Sequence, residues 1–140
     1  MTIEEKQQDI ISEFNMYDDW MEKYEYIIEL GKELPLINEN LKTEDRLIEG
    51  CQSRVWLNSA IVDGKMSFSA DSDAIITKGI IALLIQVLNN ETPENIATSD
   101  LFFINEIGLH EHLSPTRSNG LASMVKKMKM AALTSINTKA

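Results

Sequence analysis

Cysteine is almost missing from this chain: its 140 residues hold one, Cys51. A single thiol can neither close an intramolecular disulfide nor supply the several thiolates that hold an iron–sulfur cluster. Histidine is limited to two, His110 and His112, and a pair at i, i+2 does not converge as metal ligands on a helix. Basic residues are in deficit, 13 against 22 acidic, for a formal charge of −9. That balance argues against nucleic acid and anionic membranes, whose phosphates it would repel. Long apolar runs are absent too. The longest, residues 74–88, is interrupted by Thr77, Lys78 and Gln86 and falls short of the roughly 20 residues that cross a bilayer, so it reads as a buried helix. The start, MTIEEKQQDI, has neither the basic residues nor the apolar core of a signal peptide, which makes the cytoplasm the expected location.

What is present fits one domain over residues 1–140, with 44% hydrophobic content and enough length for a single core. The acidic excess is uneven: residues 1–50 carry 14 acidic and 5 basic side chains, the remainder 8 of each. An acidic helical face in the first third can steer a basic partner or simply keep the surface solvated.

Apolar spacing predicts a helix over 2–15, with Ile3, Ile10, Ile11 and Phe14 on one side. A second, capped by Asp18 or Asp19, runs to about Leu34 and is stopped by Pro35. Its stripe of Trp20, Tyr24, Ile27, Gly31 and Leu34 is expected to face the core, with Gly31 marking a close helix contact. Residues 36–47 are a polar connection, and Arg46 to Glu49 a short strand. Residues 55–62 then alternate with period two up to Asp63-Gly64, a two-residue hairpin turn that pairs Ile61 with Met66, Ser59 with Phe68 and Leu57 with Ala70 on one apolar face. Asp71-Ser72-Asp73 is expected to cap the apolar helix 74–88. Thr92-Pro93-Glu94 opens a short helix, residues 101–107 form another, and Ser114-Pro115 opens the last. Its inward stripe is Leu121, Val125, Met128 and Ala132. Seven methionines read as core filler. The fold class is α+β, a small antiparallel sheet of two or three strands packed against several helices.

The chemistry centres on Cys51. Gly50 before it lets the backbone turn sharply, and Glu49, Gln52, Ser53 and Arg54 describe a loop rather than a core position, with Arg54 able to hold a thiolate. A buried, inert cysteine is the ordinary alternative. Trp56 falls on the outward face of the hairpin, where it either covers the cysteine or only packs. Arg117 lies near a helix start, where a cation opposes the dipole, so a specific contact to the cysteine loop or to a partner is expected of it.

Gly50-Cys51-Gln52-Ser53 with Val55-Trp56 resembles the signature of the SufE family of sulfur-acceptor proteins. YEYIIELGKELP from Tyr24, DSDAIITKGIIA from Asp71 and HLSPTRSNGL from His112 agree with the same family in the same order. The resemblance implies a fold like that of iron–sulfur scaffold proteins and a function as sulfur carrier. Cys51 would take persulfide sulfur from a SufS-like cysteine desulfurase, stimulate it, and deliver sulfur to a SufB-like scaffold. The pyridoxal phosphate belongs to the desulfurase, and the acceptor needs no cofactor or metal of its own. Gly50, Gln52, Arg54, Trp56 and Arg117 are then the expected supports of Cys51. The rivals are a cluster scaffold, a thiol peroxidase or hydrolase using His110 or His112 as base, and an adaptor with an inert thiol. A carrier should shelter its persulfide, so Cys51 is expected under apolar cover from Trp56, Met66 and the apolar helix, with Gly50 as the hinge of its exposure.

Overall fold

Turn chemistry sets the sheet. Asp63 and Gly64 both have positive φ, 54° and 79°, the pair of left-handed conformations that a tight hairpin needs. The computed structural model describes residues 1–137. In it β1 (Val55–Val62) and β2 (Lys65–Ser72) pair antiparallel, Ile61 opposite Met66, Ser59 opposite Phe68 and Leu57 opposite Ala70, as the alternation predicts. The inner face is buried at Val55, Leu57, Met66, Phe68 and Ala70, but the tip projects and leaves Ile61 and Val62 exposed.

Among the described residues there are six α-helices and this two-stranded sheet, so the fold is α+β. They are α1 (Ile3–Asn15), α2 (Trp20–Lys32), α3 (Ile75–Leu88), α4 (Pro93–Thr98), α5 (Phe103–Glu106) and α6 (Pro115–Asn137). Caps appear where the side-chain chemistry calls for them: Thr2 and Glu5 form a reciprocal capping box on α1, Asp19 caps α2, and Thr92 precedes Pro93 on α4. No helix among the described residues is long and apolar enough to cross a membrane.

Three local expectations are corrected. Arg46 to Glu49 is not a strand: a 3-10 turn covers Glu44–Arg46, and only Leu47 bridges to Trp56. The other side of β2 is occupied instead by Leu36, bridged to Ala70, and by Glu91, bridged to Met66. Asp71 and Asp73 do not cap α3. Strand pairing runs as far as Val55 with Ser72, which spends Asp71 inside β2, where its carboxylate meets Lys42 at 2.6 Å and Lys78 at 3.2 Å. Burial pushes the Asp71 carboxyl up, but Lys42, the Ser72 N–H and Lys78 together hold it below its ordinary value. The methionines also divide: Met66, Met124 and Met128 are core, whereas Met1, Met16, Met21 and Met130 are exposed.

The core centres on α3, buried from Ile80 to Ile85 without a break. α2 reaches it through Gly31, whose Cβ, if added, would lie 3.0 Å from the Gly79 nitrogen. At Gly79 an added Cβ would run into the Ile27 carbonyl. Trp20 and Tyr24, half-buried against the core, are tied to the turn before α6: the Trp20 ring stacks on His112 with centroids 4.0 Å apart, and the Tyr24 hydroxyl donates to the His112 carbonyl.

The glycine crossing generates a stability test. Alanine is favoured over glycine in a helix by about 1 kcal/mol, but overpacking costs about 1–3 kcal/mol or more. Gly79→Ala is therefore expected to lower the urea midpoint clearly, and Gly31→Ala to lower it less, because its added methyl meets a looser wall. Equal midpoints for Gly79→Ala and the unaltered protein would contradict this packing.

Candidate functional site

A glycine before the thiol lets its turn lie against α6. Gly50 has φ +89°, a conformation that residues with a Cβ rarely adopt, and a Cβ there would also strike the Ser123 side chain. One residue on, Cys51 Sγ lies 3.6 Å from the Gly120 carbonyl oxygen, to which the thiol donates. A Cβ on Gly120 would sit 3.4 Å from that sulfur, in van der Waals contact. Both limbs of the turn are tied: Ile48 N–H donates to Val55 at 2.8 Å on the way in, and on the way out Arg54 N–H donates to the Asp73 carboxylate at 3.0 Å.

Beside the sulfur is a cavity of about 340 Å³. Gln52 and Ser53 border it from the turn, Thr77 and Ile80 from α3, and Ser114, Thr116, Arg117, Gly120 and Met124 from the α6 side. Of these only Arg117 is charged. It is exposed and makes no ion pair with any described residue, Glu49 and Asp45 included. Asp45 instead accepts from the Thr43 hydroxyl and lies 3.9 Å from Arg46.

The supports expected from sequence separate into two groups. Gly50, Gln52 and Arg117 join Cys51. Arg54 is tied through its backbone to Asp73, and its side chain does not border the cavity. Trp56 is turned to the other face of the hairpin, with the Lys42 ammonium 5.4 Å from its ring centroid, and Met66 is buried under the sheet. The cover over the thiol is thus α6 and α3, not Trp56 and Met66. Sequence reasoning missed Thr77, Ile80, Gly120, Ser123 and Met124 as parts of the site. Gly120 carried a usable signal, since a glycine in the interior of a long helix costs about 1 kcal/mol and implies close approach.

Burial pushes the half-buried Cys51 thiol up from its ordinary value. At rest it is a protonated donor. Neither histidine supplies a base: His112 is stacked on Trp20 with Nδ1 2.9 Å from the Gly108 carbonyl oxygen, and neither ring borders the cavity. Among the described residues no three His, Cys, Asp or Glu side chains converge as metal ligands. A larger cleft, about 900 Å³, lies where α1 begins against α4; Lys6 and Glu91 pair across its wall at 2.9 Å, Glu4, Lys65 and Asp100 also line it, and it holds no thiol.

Comparison with known proteins agrees with the motif reading. The family described as "SufE: Fe-S metabolism associated domain" matches residues 8–132. A SufE-like protein of Rhizobium etli is 42% identical over 128 residues, covering 88% of this chain and 86% of its own. Another, from Rhizobium meliloti, is 38% identical over 128 residues and covers 88% and 91%. The solution structure of a hypothetical protein from Thermus thermophilus superposes with a TM-score of 0.78 at 19% identity, over 94% of this chain and 96% of that one, a likeness of fold.

The geometry predicts slow, pH-shifted alkylation. Iodoacetamide should react with native Cys51 more slowly than with an unhindered peptide thiol, and the rate should rise through a midpoint above the ordinary thiol value of about 8.5. The sign carries over to stability. The unfolded chain ionises first, so the folded state loses stability as pH climbs from the unfolded thiol pKa through the folded one. A native rate and midpoint matching those of the denatured protein would show that the sulfur is not sheltered.

Proposed function

The chain belongs to the SufE family, whose domain is associated with iron–sulfur metabolism, and from that premise we propose that Cys51 carries sulfur as a persulfide from a SufS-like cysteine desulfurase to a SufB-like scaffold. The observation that supports this most directly is a lone thiol sheltered on α6 beside a cavity whose one charged wall is cationic. The reaction needs nothing else from this chain. The Cys51 thiolate attacks the terminal sulfur of the desulfurase persulfide, a new sulfur–sulfur bond forms as the old one breaks, and the desulfurase cysteine leaves with the electron pair and takes up a proton. No net oxidation occurs. The pyridoxal phosphate chemistry that creates the first persulfide stays on the desulfurase.

Shelter fits a carrier, because a persulfide open to solvent is lost to small thiols. Movement follows from the same geometry. The thiol that rests on the Gly120 carbonyl must leave it to reach a donor, and the left-handed Gly50 is the joint about which the turn moves. Arg117 is free of ion pairs with described residues and so available to the anionic sulfur. A hydrolase reading is disfavoured, since the cavity brings no histidine or carboxylate to the thiol.

Two substitutions test the reading. Cys51→Ser should fold normally yet acquire no sulfur from a desulfurase supplied with cysteine, as read by mass spectrometry; full stimulation of the desulfurase by this variant would defeat the carrier mechanism. Arg117→Ala should change stability by less than about 0.5 kcal/mol, as for an exposed residue without partners. Its transfer rate should nevertheless fall about tenfold, the scale of one lost charge-assisted hydrogen bond. A lowered melting temperature with unchanged transfer by the folded fraction would make Arg117 structural instead.

A further inference from the structure

One polar group of the core is unaccounted for by sulfur transfer as described. Thr77 stands on the otherwise apolar face of α3, only 7% exposed, and its hydroxyl bonds to no described residue. No buried side-chain oxygen or nitrogen among the described residues is sealed off without a partner, so the Thr77 hydroxyl keeps contact with open space. Thr77 lines the cavity beside Cys51. Valine has nearly the same shape and would pack as well, so packing alone does not call for a hydroxyl here.

We propose that this cavity is the resting place of the transferred sulfur and that the Thr77 hydroxyl binds it, donating a hydrogen bond to the terminal sulfur of the Cys51 persulfide. The inference rests on the carrier reading and extends it to the loaded state. Loading abolishes the contact that holds the empty thiol. An S–H donates to the Gly120 carbonyl, whereas an anionic terminal sulfur has no proton to donate and is repelled by that oxygen. The cavity offers the opposite polarity: Arg117 from the α6 side and Thr77 from α3, beside the apolar Ile80 and Met124. A hydroxyl and a guanidinium both donate to an anion, so the sulfur gains two donors by turning away from the carbonyl.

The test loads the full chain chemically with inorganic polysulfide, so it does not depend on which enzyme is the natural donor. The Cys51 thiolate takes the terminal sulfur, one sulfur–sulfur bond forms and one breaks, and the shortened polysulfide leaves with the electron pair. The readout is a pH titration of the persulfide anion's ultraviolet band in the unaltered protein, Thr77→Val and Thr77→Ser, with melting curves to confirm folding. Loss of one hydrogen bond to an anion should raise the persulfide pKa by about one unit in Thr77→Val. Thr77→Ser, which keeps the hydroxyl, should restore it. Superimposable titrations for all three proteins would overturn the proposal, as would a Cys51 that gains no sulfur from polysulfide. Failure of a desulfurase to load Cys51 that polysulfide loads would instead count against the carrier reading alone.

Discussion

The burial of α3 is the constraint from which the rest of the structure follows. A helix apolar on nearly all sides cannot be left against water, and α2, the hairpin, α1 and α6 each cover part of it. Covering it on so many sides at close range demands missing side chains at one crossing, and Gly31 against Gly79 supplies them. Burying each Ile or Leu side chain of α3 contributes about 1.5–3 kcal/mol. The helix therefore has stability to spare, and one polar position, Thr77, is tolerated where the packing opens.

That same helix decides where the reactive sulfur lies. The first residues of α3 follow β2 directly, and Asp73 between them ties the exit of the cysteine turn. α6 closes the opposite side through Gly120 and Ser123. Cys51 is held between two helices with its charge suppressed by burial, and the single cation at the cavity is left uncompensated. Electrostatically the site is arranged for an anion that the protonated thiol does not supply. A neutral donor at rest and a cation beside the cavity are what the proposed sulfur carriage requires of its pocket.

Much of this was legible beforehand where the signal is local. The hairpin register came from period-two alternation together with Asp63-Gly64, because a tight turn fixes which residues face each other. Caps at Asp19 and Thr92 and the helix start at Pro115 followed from side-chain chemistry within four residues. The misses have a common cause. Asp71 read as a cap because acids before an apolar run usually are, yet cross-strand pairing extended β2 over it and Lys42 and Lys78 claimed its carboxylate. Likewise Arg54 looked like the thiolate's cation because it is three residues away, while Arg117, sixty-six residues on, is the one that borders the cavity.

By itself the sequence determined the fold class, the hairpin, the family and which residue carries the one thiol, since each of those features is written in short stretches of the chain. Only the tertiary structure decided what surrounds the sulfur. Whether Trp56 or Gly120 faces Cys51 depends on how α3 and α6 approach the turn, and that approach is set by close packing of small residues whose partners are far away in sequence. A glycine inside a helix, as at Gly31 and Gly79, reports that something comes near it. It does not say what.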